Sequence, residues 1–331
     1  MRVALVGAGA VGRRVAQNLA GEAEVESLTI VARDPGRVAG LLRELGSRAT
    51  LRRGGVDEVP PADVTVVAVP VGNRRAAEVA LAHGSHVVSC ADDPSEVRQL
   101  MACDRLARTL ERSVAIGVAM APGVGCVLAA HLRGSFDRVD EVHVASVGTG
   151  GPACARRHHA ALTSVALDWE DGEWRRRPGG SGRELVWFPE PVGGADCYRA
   201  GLADPLLLVP AFPQARRVTA RLEATRRDRM TSWLPMMRPP HPEGLVGAVR
   251  AEVRGWASGQ AQTSILGAAA PPAVAASAAC TLAAMWAGRG LLARTGAGGL
   301  SEMITTPGLF LKDLASMGVR VSSFEGHPSL A

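Results

Sequence analysis

The chain has 331 residues, 47% of them hydrophobic and 21% charged, which is enough for two domains with a large core and excludes wholesale disorder. Its 37 basic and 32 acidic residues leave a formal charge of +5. With no RNP-like, zinc-finger or helix-turn-helix signature, nothing points to nucleic acid.

No uncharged apolar run reaches the ~20 residues that span a bilayer, so no membrane partner is expected. The nearest, residues 265–288, is broken by Pro271 and Pro272 and reads as a buried helix beginning at the prolines. The chain opens on a strand and a Gly-rich turn, so no cleavable signal region is expected. Its six cysteines form no CxxC pair, and no His cluster has metal-site spacing. Reduced, mostly buried thiols in a cytoplasmic protein, with no metal, are therefore expected.

In chain order, "VALV" is a short β-branched strand, followed by Gly7, Gly9 and Gly12 in GxGxxG spacing and by the helical "VGRRVAQNLA". Gly7 permits a tight turn, Gly9 lets backbone approach a pyrophosphate, and Gly12 lets the helix pack on the strand. Ala10 and Val11 share that phosphate-facing turn, where free N–H groups and the helix dipole favour an anion. "SLTIVAR" is then a strand and "PGRVAGLLRELG" a helix. "DVTVVAVP" is a third strand, "RRAAEVALAHG" a helix and "HVVSCA" a fourth strand. "PSEVRQLMACDRLARTL" continues as a helix and "SVAIGVA" as a fifth strand. Such alternation implies right-handed βαβ units, a doubly wound parallel sheet of the Rossmann type, over residues 1–125.

An acidic residue that holds the adenosine ribose stands about 20 residues past the last glycine. Here that position is Ala32, followed by Arg33, Asp34 and Arg37. Two readings follow. Arg33 and Arg37 pair with a 2′-phosphate and the cofactor is NADP(H), the favoured reading; or Asp34 bonds the ribose hydroxyls and the cofactor is NAD. Val69 and Asn73 lie in the loop after the third strand, at the sheet's ligand-binding end. Asn73 is read as a nicotinamide-ribose ligand or a loop cap, and Asp92 or Asp93 as the cap of the next helix rather than a group for chemistry.

"MRVALVGAGAVG", "ALAHGSHVVSCADDP" and "GVAMAPGVGCVLAAHL" resemble the saccharopine dehydrogenase-like oxidoreductases. The likeness continues in "GTGGPACARRHHAAL" and "WEDGEWRRRPGGSGRELVWFPEPVGGADCYRAGLADPLLL", and resurfaces weakly in "GLFLKDLASMGVRV". Only the first motif is sharp. The resemblance implies a Rossmann domain, a C-terminal α/β (α+β) domain closing over the nicotinamide, and a chain end (residues 291–331) that returns to the first domain. It implies hydride transfer to or from a C=N bond, an imine or secondary amine, of an amino-acid-derived small molecule. The chain is shorter than saccharopine reductase and lacks its arginine motif, which argues against saccharopine itself.

Residues 126–290 would form the substrate and dimerisation domain. "DEVHVASVGTGG", "RVTARLEATR" and "VGAVRAEVRGWA" read as strands of one sheet, covered by a helix from Ala155 and by the Ala-rich helix after Pro272. The sheet's other face is expected to build a homodimer. Gly151 and Pro152 start a helix whose N-terminus, with Arg156 and Arg157, suits a substrate carboxylate. His158 or His159 is a candidate proton shuttle; the alternative is a basic, solvent-facing turn. Glu190 is a further candidate substrate contact. Tyr198, the only tyrosine, is a candidate proton donor or positioning group, although the Tyr–Lys spacing of short-chain dehydrogenases is absent. Lys312, the only lysine, reads as an exposed helical residue, and "MTSWLPMMRPP" lines the cleft or packs a loop. The alternatives to imine chemistry are a homoserine dehydrogenase-like carbonyl reductase and a non-catalytic NADP-binding sensor.

Overall fold

A computed structural model of the chain describes residues 1–236, 240–242 and 244–324. The first six strands are β1 (Arg2–Val6), β2 (Ser27–Ala32), β3 (Ala49–Arg53), β4 (Val64–Val67), β5 (His86–Ser89) and β6 (Ser113–Ile116). A second set follows: β7 (Arg138–Val147), β8 (Ala166–Glu170), β9 (Glu173–Arg177), β10 (Glu184–Trp187), β11 (Gly194–Tyr198), β12 (Arg217–Glu223), β13 (Gly247–Ala257) and β14 (Gln260–Ala270). Two short strands close the chain, β15 (Gly296–Gly299) and β16 (Arg320–Ser323).

The first sheet is seven-stranded and wholly parallel, in the order β15-β6-β5-β4-β1-β2-β3. Its central strands are continuous apolar runs because both faces are covered: all four residues of β4 are buried. Strand order reverses beside β1, so the connections after β1 and β4 leave on opposite faces and a crevice opens between their carboxyl ends. Two glycines set that crevice. Gly7 has φ +96°, and a Cβ there would lie 2.5 Å from the Ala68 carbonyl oxygen; a Cβ on Gly12 would lie 2.1 Å from that of Gly7.

The sequence reading of five strands here misses β3 and β15. The "ATLRR" of β3 exposes most of its residues at the sheet edge, and the "GAGG" of β15 has no strand propensity. The single helix expected after β5 is two, Pro94–Met101 and Asp104–Thr109.

The second sheet runs β10-β11-β12-β7-β13-β14-β16, with β8 and β9 added beside β12. It is antiparallel except for the β12–β7 pair. Strands β13 and β14 form a hairpin whose two-residue turn, Ser258 (φ 50°) and Gly259 (φ 76°), supplies the positive dihedrals of a type I′ turn. The helix Val124–Arg133 covers β7, β13 and β14. The Ala-rich helix Pro272–Gly288 does not; it packs on the helix Ala10–Gly21 and on β4 and β5 of the first sheet. Its alanines bury it nearly all round, and its Trp286 meets Phe310 edge to face at 5.4 Å. Strand β15 extends the first sheet and β16 the second, so the final segment contributes to both. Among the described residues, no helix is long and apolar enough to cross a membrane.

Candidate active site

The crevice between β1 and β4 opens into a cavity of about 410 Å³ enclosed by both sheets. From the first sheet come the turn after β1 and the start of its helix (Gly9, Ala10, Val11), the loop after β4 (Val69) and the loop after β5 (Cys90, Asp92). The second half contributes the end of β7 and the start of the helix Pro152–Ala161. Ten predicted residues border this one space: Gly9, Ala10, Val11, Arg37, Val69, Gly151, Pro152, Arg156, Arg157 and His158. Gly151 brings the halves into contact, since a Cβ there would stand 2.8 Å from the Ala10 Cβ.

At the phosphate end, the helix Ala10–Gly21 begins at Gly9 with no side-chain cap and no acidic residue in its first turn. Its leading N–H groups have no side-chain partner, Gly7 and Gly12 let the strand, turn and helix pack closely, and a Cβ on Gly9 would meet nothing within 4 Å, an arrangement that suits a dinucleotide pyrophosphate. At the ribose end, β2 stops at Ala32. Asp34 caps the helix Pro35–Leu45, accepting from the Gly36 N–H at 3.0 Å, and pairs with Arg37 at 3.3 Å. Its carboxylate is thus committed to its own helix. Arg33 is exposed and forms no ion pair among the described residues, and Arg53 is its neighbour's partner across β2–β3. Arg13 reaches the same edge, donating to the Arg37 carbonyl at 3.4 Å.

Asn73 is engaged by its own surroundings, as the loop-cap reading expects. It is fully buried, donating to Glu96 at 2.9 Å and to the Val69 carbonyl at 3.2 Å, while its carbonyl accepts from Ser89 at 2.9 Å. Glu96, which the sequence reading passed over, also accepts from the Asn73 N–H at 2.8 Å and so caps the uncapped helix Asn73–Ala82.

Three other candidates lie away from the cavity lining. His159 makes a 2.9 Å contact from Nε2 to the Leu234 carbonyl. Tyr198 is buried in β11 with the Arg229 guanidinium 4.3 Å over its ring. Glu190 is exposed in the turn between β10 and β11. Of "MTSWLPMMRPP", Trp233 is exposed and donates to the Met230 carbonyl at 2.9 Å; Met237, Arg238 and Pro239 lie outside the described residues.

The polar end of the cavity is built by residues that the sequence reading used otherwise or missed. Asp93 caps the helix Pro94–Met101 through the Ser95 N–H at 2.7 Å, which leaves Asp92 free to face the cavity. Burial raises the Asp92 carboxyl above its ordinary range, and the Arg157 charge opposes the shift. Arg157 is tied down, pairing with Asp93 at 2.7 Å and donating to the Gly201 carbonyl at 2.6 Å. Arg156, by contrast, is exposed at the rim and makes no ion pair among the described residues.

One turn apart on the same helix face, Cys154 Sγ and His158 Nε2 are 3.6 Å from each other. Burial, with the Arg157 charge, pushes His158 down to about 4, so its imidazole is neutral at pH 7 and is not a ready proton donor. Burial, with the Asp92 charge, pushes the Cys154 thiol up to about 12. Asp204, 2% exposed at the start of the helix Asp204–Leu208, is raised to about 7 by burial and then by the Asp92 charge. Signals for two of these were present. Pro94 at the first helical position marks Asp93 as the cap and releases Asp92, and the i, i+4 spacing puts Cys154 and His158 on one face.

No family model and no curated protein matches the sequence. Among solved structures, the fold is similar to that of apo saccharopine dehydrogenase (L-Glu forming) from Saccharomyces cerevisiae, with a TM-score of 0.70 at 14% identity, covering 98% of this chain and 100% of that one. GenD2 from gentamicin A biosynthesis, in complex with NAD, gives a TM-score of 0.46 at 15% identity over 98% of this chain and 97% of that chain. Apo scyllo-inositol dehydrogenase from Lactobacillus casei gives 0.45 at 12% identity over 96% and 94%. The yeast likeness spans both halves of the chain, so the two-domain α/β architecture read from the sequence is the architecture observed.

Proposed function

We propose that this protein is an NADP(H)-dependent oxidoreductase that transfers hydride to or from a C=N bond of a small, amino-acid-derived substrate. The observation that carries the reading is the uncapped helix N-terminus behind Gly7, Gly9 and Gly12, opening into a cavity closed by the second half of the chain. Its volume of about 410 Å³ suits a nicotinamide ring beside a small molecule. The commitment of Asp34 to its own helix, with Arg33 and Arg37 at the same edge, supports a 2′-phosphate over free ribose hydroxyls. The imine assignment rests on the saccharopine dehydrogenase-like motifs together with the fold similarity to the yeast enzyme.

NADP(H), when bound, supplies the hydride; the chain's residues orient and shield it. The helix N–H groups after Gly9 hold the pyrophosphate, and Val69 and Ala10 wall the cavity. The opposite helix N-terminus at Gly151 and Pro152, with Arg156 as the uncommitted cation, binds a substrate carboxylate. Residues of both halves wall the space in which the transfer would take place. A homodimer is part of the proposal: β10 is a sheet edge with Leu185 60% and Trp187 62% exposed, a surface suited to a second copy. The test is NADPH oxidation in a screen of paired amines and 2-oxo acids. Turnover with such a pair, reduced at least about tenfold by Arg156→Ala, supports the reading; turnover confined to plain carbonyl substrates replaces imine with carbonyl chemistry.

A further inference from the structure

We propose that Asp92, Cys154 and His158 form a binding site for a single zinc ion at the polar end of the cavity. Their ligand atoms, one carboxylate oxygen, one sulfur and one imidazole nitrogen, all lie within 4.8 Å of one another. The Cys154 Sγ–His158 Nε2 separation is 3.6 Å. A tetrahedral ion with Zn–S and Zn–N bonds of about 2.3 and 2.0 Å requires about 3.5 Å between those two atoms, so the helix already holds the pair at coordinating distance. A thiolate, a neutral imidazole and a carboxylate are the ligand types of a borderline-soft divalent ion, and three protein ligands leave a fourth position open. That position faces the cavity, where a substrate nitrogen or oxygen can ligate.

A second observation points to a missing group. The His158 ring is incompletely partnered: its Nδ1 is shut off from solvent with no hydrogen-bond partner among the described residues, and its Nε2 meets the Cys154 sulfur. The facing groups suit a cation: Asp92 and the Cys154 thiolate neutralise it. Arg157, the one opposing charge felt at Asp92 and His158, is paired with Asp93. Coordination breaks the Cys154 S–H bond and forms S–Zn, with the proton released to solvent.

The test uses the full chain, freed of metal by a chelator and titrated with Co²⁺ as a spectroscopic stand-in, without cofactor. One equivalent of Co²⁺ should raise a thiolate-to-cobalt charge-transfer band and tetrahedral d–d bands, both bleached by Zn²⁺. The charge-transfer band should vanish in Cys154→Ser, and Asp92→Asn and His158→Gln should weaken binding by more than about tenfold. Absence of the band in the unaltered chain overturns the proposal, so a misfolded variant cannot rescue it. A band that survives Cys154→Ser and is lost in Cys90→Ser overturns it too, by moving the ligand to the other cysteine on the cavity wall. Protein that binds cobalt but no nicotinamide cofactor keeps this site and loses the hydride-transfer reading.

Discussion

Asp204 offers a direct check on the electrostatics of the cleft. Its carboxyl is 2% exposed, one oxygen has no partner among the described residues, and its folded value of about 7 lies far above the roughly 3.9 of an unfolded aspartate. Between those values the native chain holds a proton that the unfolded chain has released, so stability falls as pH rises through this window. A displacement of about 3 units corresponds to about 4 kcal/mol, fully expressed above pH 7 and absent below pH 4. Asp204→Asn removes the titration while keeping the shape. Urea unfolding of chelator-treated wild type and variant at pH 4.5 and 8 should show the variant gaining on the wild type by about 2–4 kcal/mol as pH rises. A difference that stays constant across that range refutes the buried, proton-holding carboxyl.

Three further outcomes follow from the same geometry. Asn73→Ala should cost about 2–3 kcal/mol in urea unfolding, because Glu96 and Ser89 lose a buried partner, while NADPH affinity stays within about twofold; lost affinity with unchanged stability would return Asn73 to the ribose. Gly12→Ala places a Cβ 2.1 Å from the Gly7 carbonyl oxygen, so cofactor binding should be lost, and an unchanged dissociation constant would contradict the cradle. Asp63 is held below the ordinary carboxylate range chiefly by the Arg2 N–H, which donates to it at 2.7 Å. Its contribution is present above the unfolded value and lost as pH falls through the lower folded one, so Asp63→Asn should flatten the acid limb of the stability curve. An acid limb identical to wild type would remove that assignment.

The N-terminal half was legible because its strands are apolar runs separated by helices with clear starts: Pro35 and Pro94 each mark a cap one residue earlier. The strands that escaped carry no such signal. In β9, "EWRRR" is exposed along nearly its whole length, and β15 is made of glycine and alanine. The Ala-rich helix was placed on the wrong sheet because its apolar surface goes all the way round, and nothing in its pattern selects a partner. At the site, residue type alone does not place a side chain. His159 and Tyr198 have suitable chemistry, yet the half-buried His159 meets a backbone carbonyl and the buried Tyr198 lies under an arginine, both away from the cavity lining. Asp92 looked like one of two helix caps, and only burial beside Cys154 and His158 gives it a different place.

The central claim is that the cavity holds NADP(H), and the most direct measurement is a paired fluorescence titration of the purified protein with NADPH and NADH. NADPH should bind more tightly than NADH, and Arg33→Ala should erase most of the difference, by about 1–2 kcal/mol, while leaving NADH binding unchanged. Tighter binding of NADH would return the ribose contact to Asp34 and contradict the phosphate assignment; binding of neither would contradict the oxidoreductase reading itself.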